Sequence, residues 1–292
     1  MNRAGPSKLL LGGASFGNHY GVSNESQILE SEVHSILSNA FSSGFVGIDT
    51  APNYGNSEKT LGTFDLTSKE VFTKISIEAL VSGVSQGINS VLGSLDRLKT
   101  TSLTGLTFHS SDAFLSNPKT SQQLVKELLD LELISSWGVS VYEPEEVYKV
   151  LEVANPNYIQ APVNVLDRRF LDDKINELLI TAGASLQARS IFLQGLLLMP
   201  TDQQPAYFAE WYTMFESCKK VAQEQEISML SFALNFVNEH RAVDRLVVGV
   251  NSVDHVREIS HSLNSPNIQF DPNQIAAVSD LRLIDPRQWR IS

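Results

Sequence analysis

Four residues of this chain bring together a carboxylate, a phenol, an ammonium and an imidazole, each at or just beyond the end of a short apolar run. In residues 44–58, GFVGIDTAPNYGNSE, the run Phe45-Val46-Gly47-Ile48 is short enough for a buried strand. It ends on Asp49, and a Pro/Asn/Gly turn then presents Tyr54. Lys74 stands within VFTKIS, and His109 closes the run LTFH. A phenol, with an ordinary pKa of about 10, protonates a substrate oxygen at neutral pH only when a neighbour eases loss of its proton. A buried lysine is such a neighbour. Lys74 alternates with Phe72 on one strand face, and burial there requires a partner such as Asp49 from the preceding strand. His109 is then placed to hold the substrate oxygen. Taken singly, a strand-end lysine is more often solvated and a lone histidine more often structural. Their order on three successive strands is what points to proton chemistry.

The elements that would position them alternate along the whole chain. Apolar runs predict strands over residues 8–11, 46–49, 70–75, 103–109, 137–141, 158–162, 185–190 and 245–250. Helical periodicity fills the intervals at 26–42, 57–64, 82–98, 120–134, 144–153, 167–181, 207–238 with a break near 226–228, and 254–263. A tail over 265–292 carries one more predicted helix around 272–283. Strand–helix alternation implies right-handed crossovers between parallel strands, and eight such units favour a (β/α)8 barrel with the tail over its C-terminal face. An open doubly wound sheet is the runner-up, but Gly12-Gly13-Ala14-Ser15-Phe16-Gly17 does not fit its dinucleotide fingerprint. No linker or composition shift interrupts the chain, so residues 1–292 are expected to form a single barrel domain.

Composition narrows the class. With 292 residues and 42% hydrophobic content, the chain can bury a full core. The formal charge of −11 opposes general binding to nucleic acid or to an anionic membrane surface. One cysteine, Cys218, excludes an internal disulfide and a multi-thiolate metal site. No segment stays apolar for the roughly 18 residues of a membrane span, and the N-terminus does not read as a signal peptide, so a cytoplasmic location is expected. No metal-spaced His/Glu set is present, which leaves no metal expected. No exposed apolar stripe stands out to indicate an oligomeric state.

The segments GFVGIDTAPNYGNSE, FTK, LTFHSSD, WGVSVY, IQAPVNVLDRR and ARSIFLQGLL, in this order over roughly residues 8–260, closely resemble the aldo-keto reductases. The specific part is D-T-A-x-x-Y-G-x-S-E, residues 49–58. The resemblance implies a cofactor-bearing (β/α)8 barrel that reduces a small-molecule aldehyde or ketone without metal, a nicotinamide donating the hydride. It implies Tyr54 as general acid, Lys74 as the cation that eases its deprotonation, Asp49 as the anchor of Lys74, and His109 as the group that orients the carbonyl. Ser140 and Gln160 match the residues that bind the nicotinamide carboxamide, although Val141 stands where many members have asparagine. Arg189 occupies the place of an aromatic that stacks on the nicotinamide, and a planar guanidinium can also lie flat on a ring. Leu193-Gln194-Gly195 matches the loop that approaches the pyrophosphate, Gly195 permitting close contact.

The cofactor's second ribose is where this chain departs from the resembling enzymes. Aligning VVGVNSVDH puts Gly249 at their phosphate-binding lysine and His255 at their arginine. Asn251, Ser252 and a helix N-terminus remain as phosphate partners, while Asp254 adds a like charge and Arg257 falls on another helix face. The expectation is NADP(H) with NAD(H) also accepted, the preference strengthening at low pH, where a histidine becomes a cation. For the substrate, the segments expected to contribute are His19-Tyr20, residues 110–117 and residues 286–290, and the polarity of residues 110–116 leans towards a sugar derivative. The competing expectation is a regulatory or redox-sensing subunit that binds the cofactor with little turnover, as the resembling subunits of potassium channels do. The presence of all four proton-active residues weighs against it.

Overall fold

The computed structural model of the chain describes residues 8–17, 28, 30–263, 271 and 274–291. Its strands are β1 (Leu9–Gly12), β2 (Gly47–Asp49), β3 (Glu70–Ile75), β4 (Gly105–Phe108), β5 (Trp137–Ser140), β6 (Tyr158–Pro162), β7 (Ser185–Arg189) and β8 (Val243–Gly249). All are parallel and follow one another in chain order, and β1 bonds to both β2 and β8, so the sheet closes into a (β/α)8 barrel. Around it lie α1 (Glu30–Ser42), α2 (Ser57–Leu61), α3 (Val84–Leu98), α4 (Ser111–Leu115), α5 (Pro118–Asp130), α6 (Pro144–Leu151) and α7 (Asp173–Ala182). They continue with α8 (Tyr212–Glu224), α9 (Met229–Asn238), α10 (Val253–Ser262) and, in the tail, α11 (Leu281–Ile284).

Strand period explains the two sides of the ring. Outward residues such as Ile48, Val71, Leu106, Val139, Ile159 and Leu246 are buried beneath the helices in the main apolar cluster. Each such side chain stabilises by roughly 1.5–3 kcal/mol relative to exposure. Inward residues form layers. Leu10, Phe72 and Tyr158 fill the middle, where Tyr158 shares a 2.9 Å hydrogen bond with Thr107. Below them Arg245 donates from Nε and Nη2 to the two carboxylate oxygens of Glu70, each at 2.8 Å, closing the N-terminal end. Above them, towards the strand C-termini, the layer becomes polar with Asp49, Lys74 and Gln160.

A second apolar cluster holds the tail. Leu283 and Ile284 pack with Phe208, Trp211 and Phe215, Trp289 lies edge-on to Phe208 with centroids 5.0 Å apart, and its Nε1 donates to Leu283 O at 2.9 Å. Val278 N also donates to Leu166 O at 2.8 Å. These contacts bring Pro286 and Arg287 over the C-terminal mouth of the barrel.

Four predicted elements differ in detail. The helix expected over 167–181 divides, because the Asp172 side chain accepts from Lys174 N at 3.0 Å and starts α7 afresh after a 3-10 turn, Arg169–Leu171. The helix expected over 120–134 starts at Pro118 behind the Asn117 cap and stops at Asp130, which frees Ile134 to bridge Leu103. Residues 110–117, expected to be loop, contain α4, capped by Ser110. The helix expected around 272–283 is absent over 274–280, and only α11 forms. The first residues of the predicted helix 26–42 and the His19-Tyr20 pair lie outside the described residues.

Candidate active site

Three strand ends converge. Asp49 is the last residue of β2, Lys74 the fifth of β3's six, and His109 follows β4, its N–H donating to Ile75 O at 2.9 Å. Lys74 Nζ donates to Asp49 Oδ2 at 2.5 Å and to Thr50 O at 3.1 Å, and both side chains of the pair are almost fully buried. Burial alone lowers the pKa of the Lys74 ammonium, but the Asp49 charge and hydrogen bond, helped by Tyr54, outweigh it and leave the pKa raised. The lysine therefore stays charged. Tyr54 presents its ring 5.2 Å from Lys74 Nζ and packs edge-on against His109, with ring centroids 5.8 Å apart. Burial, then the Lys74 charge, pull the His109 pKa down to about 4, so its imidazole is neutral at physiological pH. Tyr158 also points into the ring, but its burial raises the phenol pKa and keeps it protonated.

The remainder of the D-T-A-x-x-Y-G-x-S-E motif holds this arrangement. Ser57 Oγ donates to Gly13 O at 2.7 Å and pairs with Thr50 Oγ1 at 2.8 Å. Glu58, buried, accepts from Thr73 Oγ1 at 2.6 Å and from Arg97 Nε at 2.7 Å, so α2 is tied both to β3 beside Lys74 and to α3. The Tyr54 loop is pinned against Gly17: a Cβ there would come within 1.7 Å of Tyr54 O, so only glycine fits.

These groups open onto a cavity of about 690 Å³. Its walls include Asp49, Tyr54, Lys74, His109, Ser140, Gln160, Arg189, Gln194, Gly195, Gly249, Asn251 and His255, and of the catalytic and cofactor-binding candidates only Ser252 is missing. Ser252 instead caps α10, its Oγ accepting from His255 N at 3.1 Å. Asp254 and Arg257 pair with each other at 3.2 Å on the exposed side of that helix. Leu193, Gln194 and Gly195 all take positive φ, 48°, 53° and 88°, forming a left-handed turn at the cavity wall. Space lies open where a Gly195 Cβ would go, so it is this backbone conformation that calls for glycine there.

A nicotinamide dinucleotide can be tested against these walls. Gln160 Nε2 donates to Asp49 Oδ1 at 2.9 Å, while its Oε1, buried, has no partner among the described residues. An orphaned buried acceptor costs about 1–3 kcal/mol, and the primary amide of a carboxamide supplies the donor it lacks. Ser140, beside Gln160 in the β5–β6 register, adds a hydroxyl. The residues fit the group. No cluster of three metal-ligating side chains occurs among the described residues.

One expectation changes, and further wall residues come to light. Residues 110–117 do not line the cavity, since α4 turns Phe114 into the core against Phe108 and Trp137; their polarity carries no information about substrate. The Arg189 guanidinium lies over the Tyr142 ring at 4.1 Å from its centroid and donates to Val141 O at 2.9 Å, so the ring it stacks on within the protein is Tyr142. Tyr142, Glu258 and Phe192 line the cavity without having been anticipated. Two signals were available: Tyr142 follows the β5 end by two residues, and Glu258 lies one turn beyond His255 on the same helix face.

Fold and site together describe a barrel oxidoreductase. A model of the Aldo/keto reductase family matches residues 8–282, and the chain belongs to that family, which makes it an oxidoreductase acting on carbonyl groups. A search of curated proteins gave no match. Among solved structures, it is similar to the holo form of aldo-keto reductase AKR11C1 from Bacillus halodurans, with 17% identity and a TM-score of 0.74 over 94% of this chain and 95% of that one. A thermostable aldo-keto reductase, Tm1743, crystallised with the inhibitor epalrestat, is similar at 19% identity and a TM-score of 0.71, again over 94% and 95%. At such identities these two establish the shared fold. None of the described helices is long and apolar enough to cross a membrane.

Proposed function

We infer that this protein reduces an aldehyde or ketone with NAD(P)H, Tyr54 donating the proton. The observation that carries the reading is the buried Lys74–Asp49 pair beneath Tyr54 and His109. When bound, the reduced nicotinamide supplies the hydride to the carbonyl carbon. Neutral His109 donates a hydrogen bond from its one ring N–H to the carbonyl oxygen; with its pKa lowered to about 4 it carries no second proton to give up. Tyr54 gives the proton to the developing alkoxide, and the Lys74 ammonium stabilises the phenolate left behind. Asp49 holds Lys74 in place and in its charged form. Water then restores the Tyr54 proton, completing the conversion of carbonyl to alcohol. Ser140 and Gln160 would hold the carboxamide; Gln194, Gly195 and the wall at Gly249, Asn251 and His255 would receive the phosphates and the second ribose.

Steady-state oxidation of NADPH with generic aldehydes tests this, with Tyr54→Phe as the comparison. Turnover is expected to fall by roughly two orders of magnitude or more while cofactor affinity holds. Near-native turnover in the variant removes Tyr54 from the role, and tight cofactor binding without any oxidation points to a regulatory subunit instead. The cofactor wall has no fixed cation at Gly249 or His255, and Glu258 adds a carboxylate there. Both cofactors should therefore be used. A preference for NADPH of about a thousandfold, some 4 kcal/mol, overturns this assignment of the phosphate site.

A further inference from the structure

The cavity wall holds two guanidiniums to which the reduction as proposed assigns no step. Arg189 reaches it from the end of β7 and Arg287 from the tail, and both stack on Tyr142, their guanidinium carbons 4.1 Å and 3.5 Å from the ring centroid. Arg287 is held from behind: the buried Asp285 carboxylate accepts from its Nε and Nη2 at 2.9 Å and 2.7 Å. Arg189 differs in that no carboxylate pairs with it among the described residues; it donates to Val141 O and, at 3.4 Å, to Ser190 Oγ. Its charge is felt in the site, where it opposes the ammonium of Lys74 and protonation of His109. Lys74 is neutralised by Asp49 and Arg287 by Asp285, so one positive charge remains on this wall of a chain whose formal charge is −11.

An uncompensated cation at a half-buried site is costly unless a ligand completes it. In the proposed reduction the cofactor phosphates go to the left-handed turn at Gly195 and the α10 end of the cavity, whereas the charge of Arg189 acts on Lys74 and His109. Forked guanidinium donors match an oxyanion bidentately, and stacking on Tyr142 pre-orients both forks. We propose that the carbonyl substrate is itself an anion, an aldehyde or ketone bearing a carboxylate or a phosphate that Arg189 and Arg287 hold over Tyr142. Asp285 acts here as a positioning residue, fixing the Arg287 fork before substrate arrives. The proposal rests on the carbonyl-reductase reading and names the substrate class for that site.

Matched pairs of aldehydes test it: succinic semialdehyde against butanal, and glyceraldehyde 3-phosphate against glyceraldehyde, each assayed with NADPH and with NADH. The charged member of at least one pair is expected to exceed its neutral partner in kcat/KM by thirtyfold or more, about 2 kcal/mol, and the pair that does so identifies the oxyanion. That ratio should collapse towards unity in Arg189→Gln, mainly through KM, should fall partway in Arg287→Gln and in Asp285→Asn, and should weaken in the wild type as ionic strength rises. Neutral aldehydes reduced as well as their charged partners overturn the proposal and leave carbonyl reduction standing. If no aldehyde is reduced, the functional reading fails instead. Calorimetric binding of the unreactive anions 4-hydroxybutyrate and glycerol 3-phosphate to wild type and Arg189→Gln then decides the anion site on its own, and equal or absent binding in the two proteins overturns it.

Discussion

Lys74→Met separates what a single ammonium does for chemistry from what it does for folding. The Asp49 carboxylate would be left buried with Gln160 Nε2 as its remaining described side-chain donor. Removing one partner of a buried ion pair costs about 3–5 kcal/mol, so both turnover and thermal midpoint should drop sharply. A variant with native melting temperature and native rate shows that Lys74 is not the buried cation of this site. The four proton-active residues were legible from their types and strand-end positions alone, because chemistry restricts which side chains can serve. Tyr142, Glu258 and the Arg189 stack were not legible, since an aromatic or a charge near a strand end has many uses, and only the folded chain shows which neighbour it meets.

Helix α2 shows how an element can matter to a site it does not line. It begins three residues after Tyr54, and its buried Glu58 joins β3 through Thr73 and α3 through Arg97. Glu58→Ala strands the Thr73 hydroxyl and releases Arg97, whose side chain is already one-third exposed and can turn to solvent. The expected loss is therefore nearer the lower end for such pairs, about 3 kcal/mol by denaturant titration, with kcat reduced as the Tyr54 loop loosens. Unchanged kcat alongside lowered stability would confine Glu58 to scaffolding. Strands were the most readable elements, as β3 and β6 match the apolar runs residue for residue. Helix limits were less so. Asn117-Pro118 and Asp172 reset the start of α5 and α7 through side-chain caps that periodicity does not register, and the five residues of α4 are too few for a 3.6-residue repeat to emerge.

Across the whole molecule, ring closure followed from counting strand–helix units, while the course of the tail did not, because its anchors Trp289 and Leu283 find partners such as Phe208 many residues away. Closure also leaves a trace in time. The Glu70–Arg245 pair joins β3 and β8, 175 residues apart in the chain, so it cannot form until the last strand has come round to face the third. Contacts of such separation are late contacts, absent from the rate-limiting ensemble if that ensemble is built from nearer neighbours. Glu70→Gln should then leave the refolding limb of a chevron plot almost where it was and lift the unfolding limb, shortening the lifetime of the closed ring without slowing its assembly. A variant whose refolding slows in proportion to its lost stability would mean instead that the two ends of the chain meet before the barrel between them is complete.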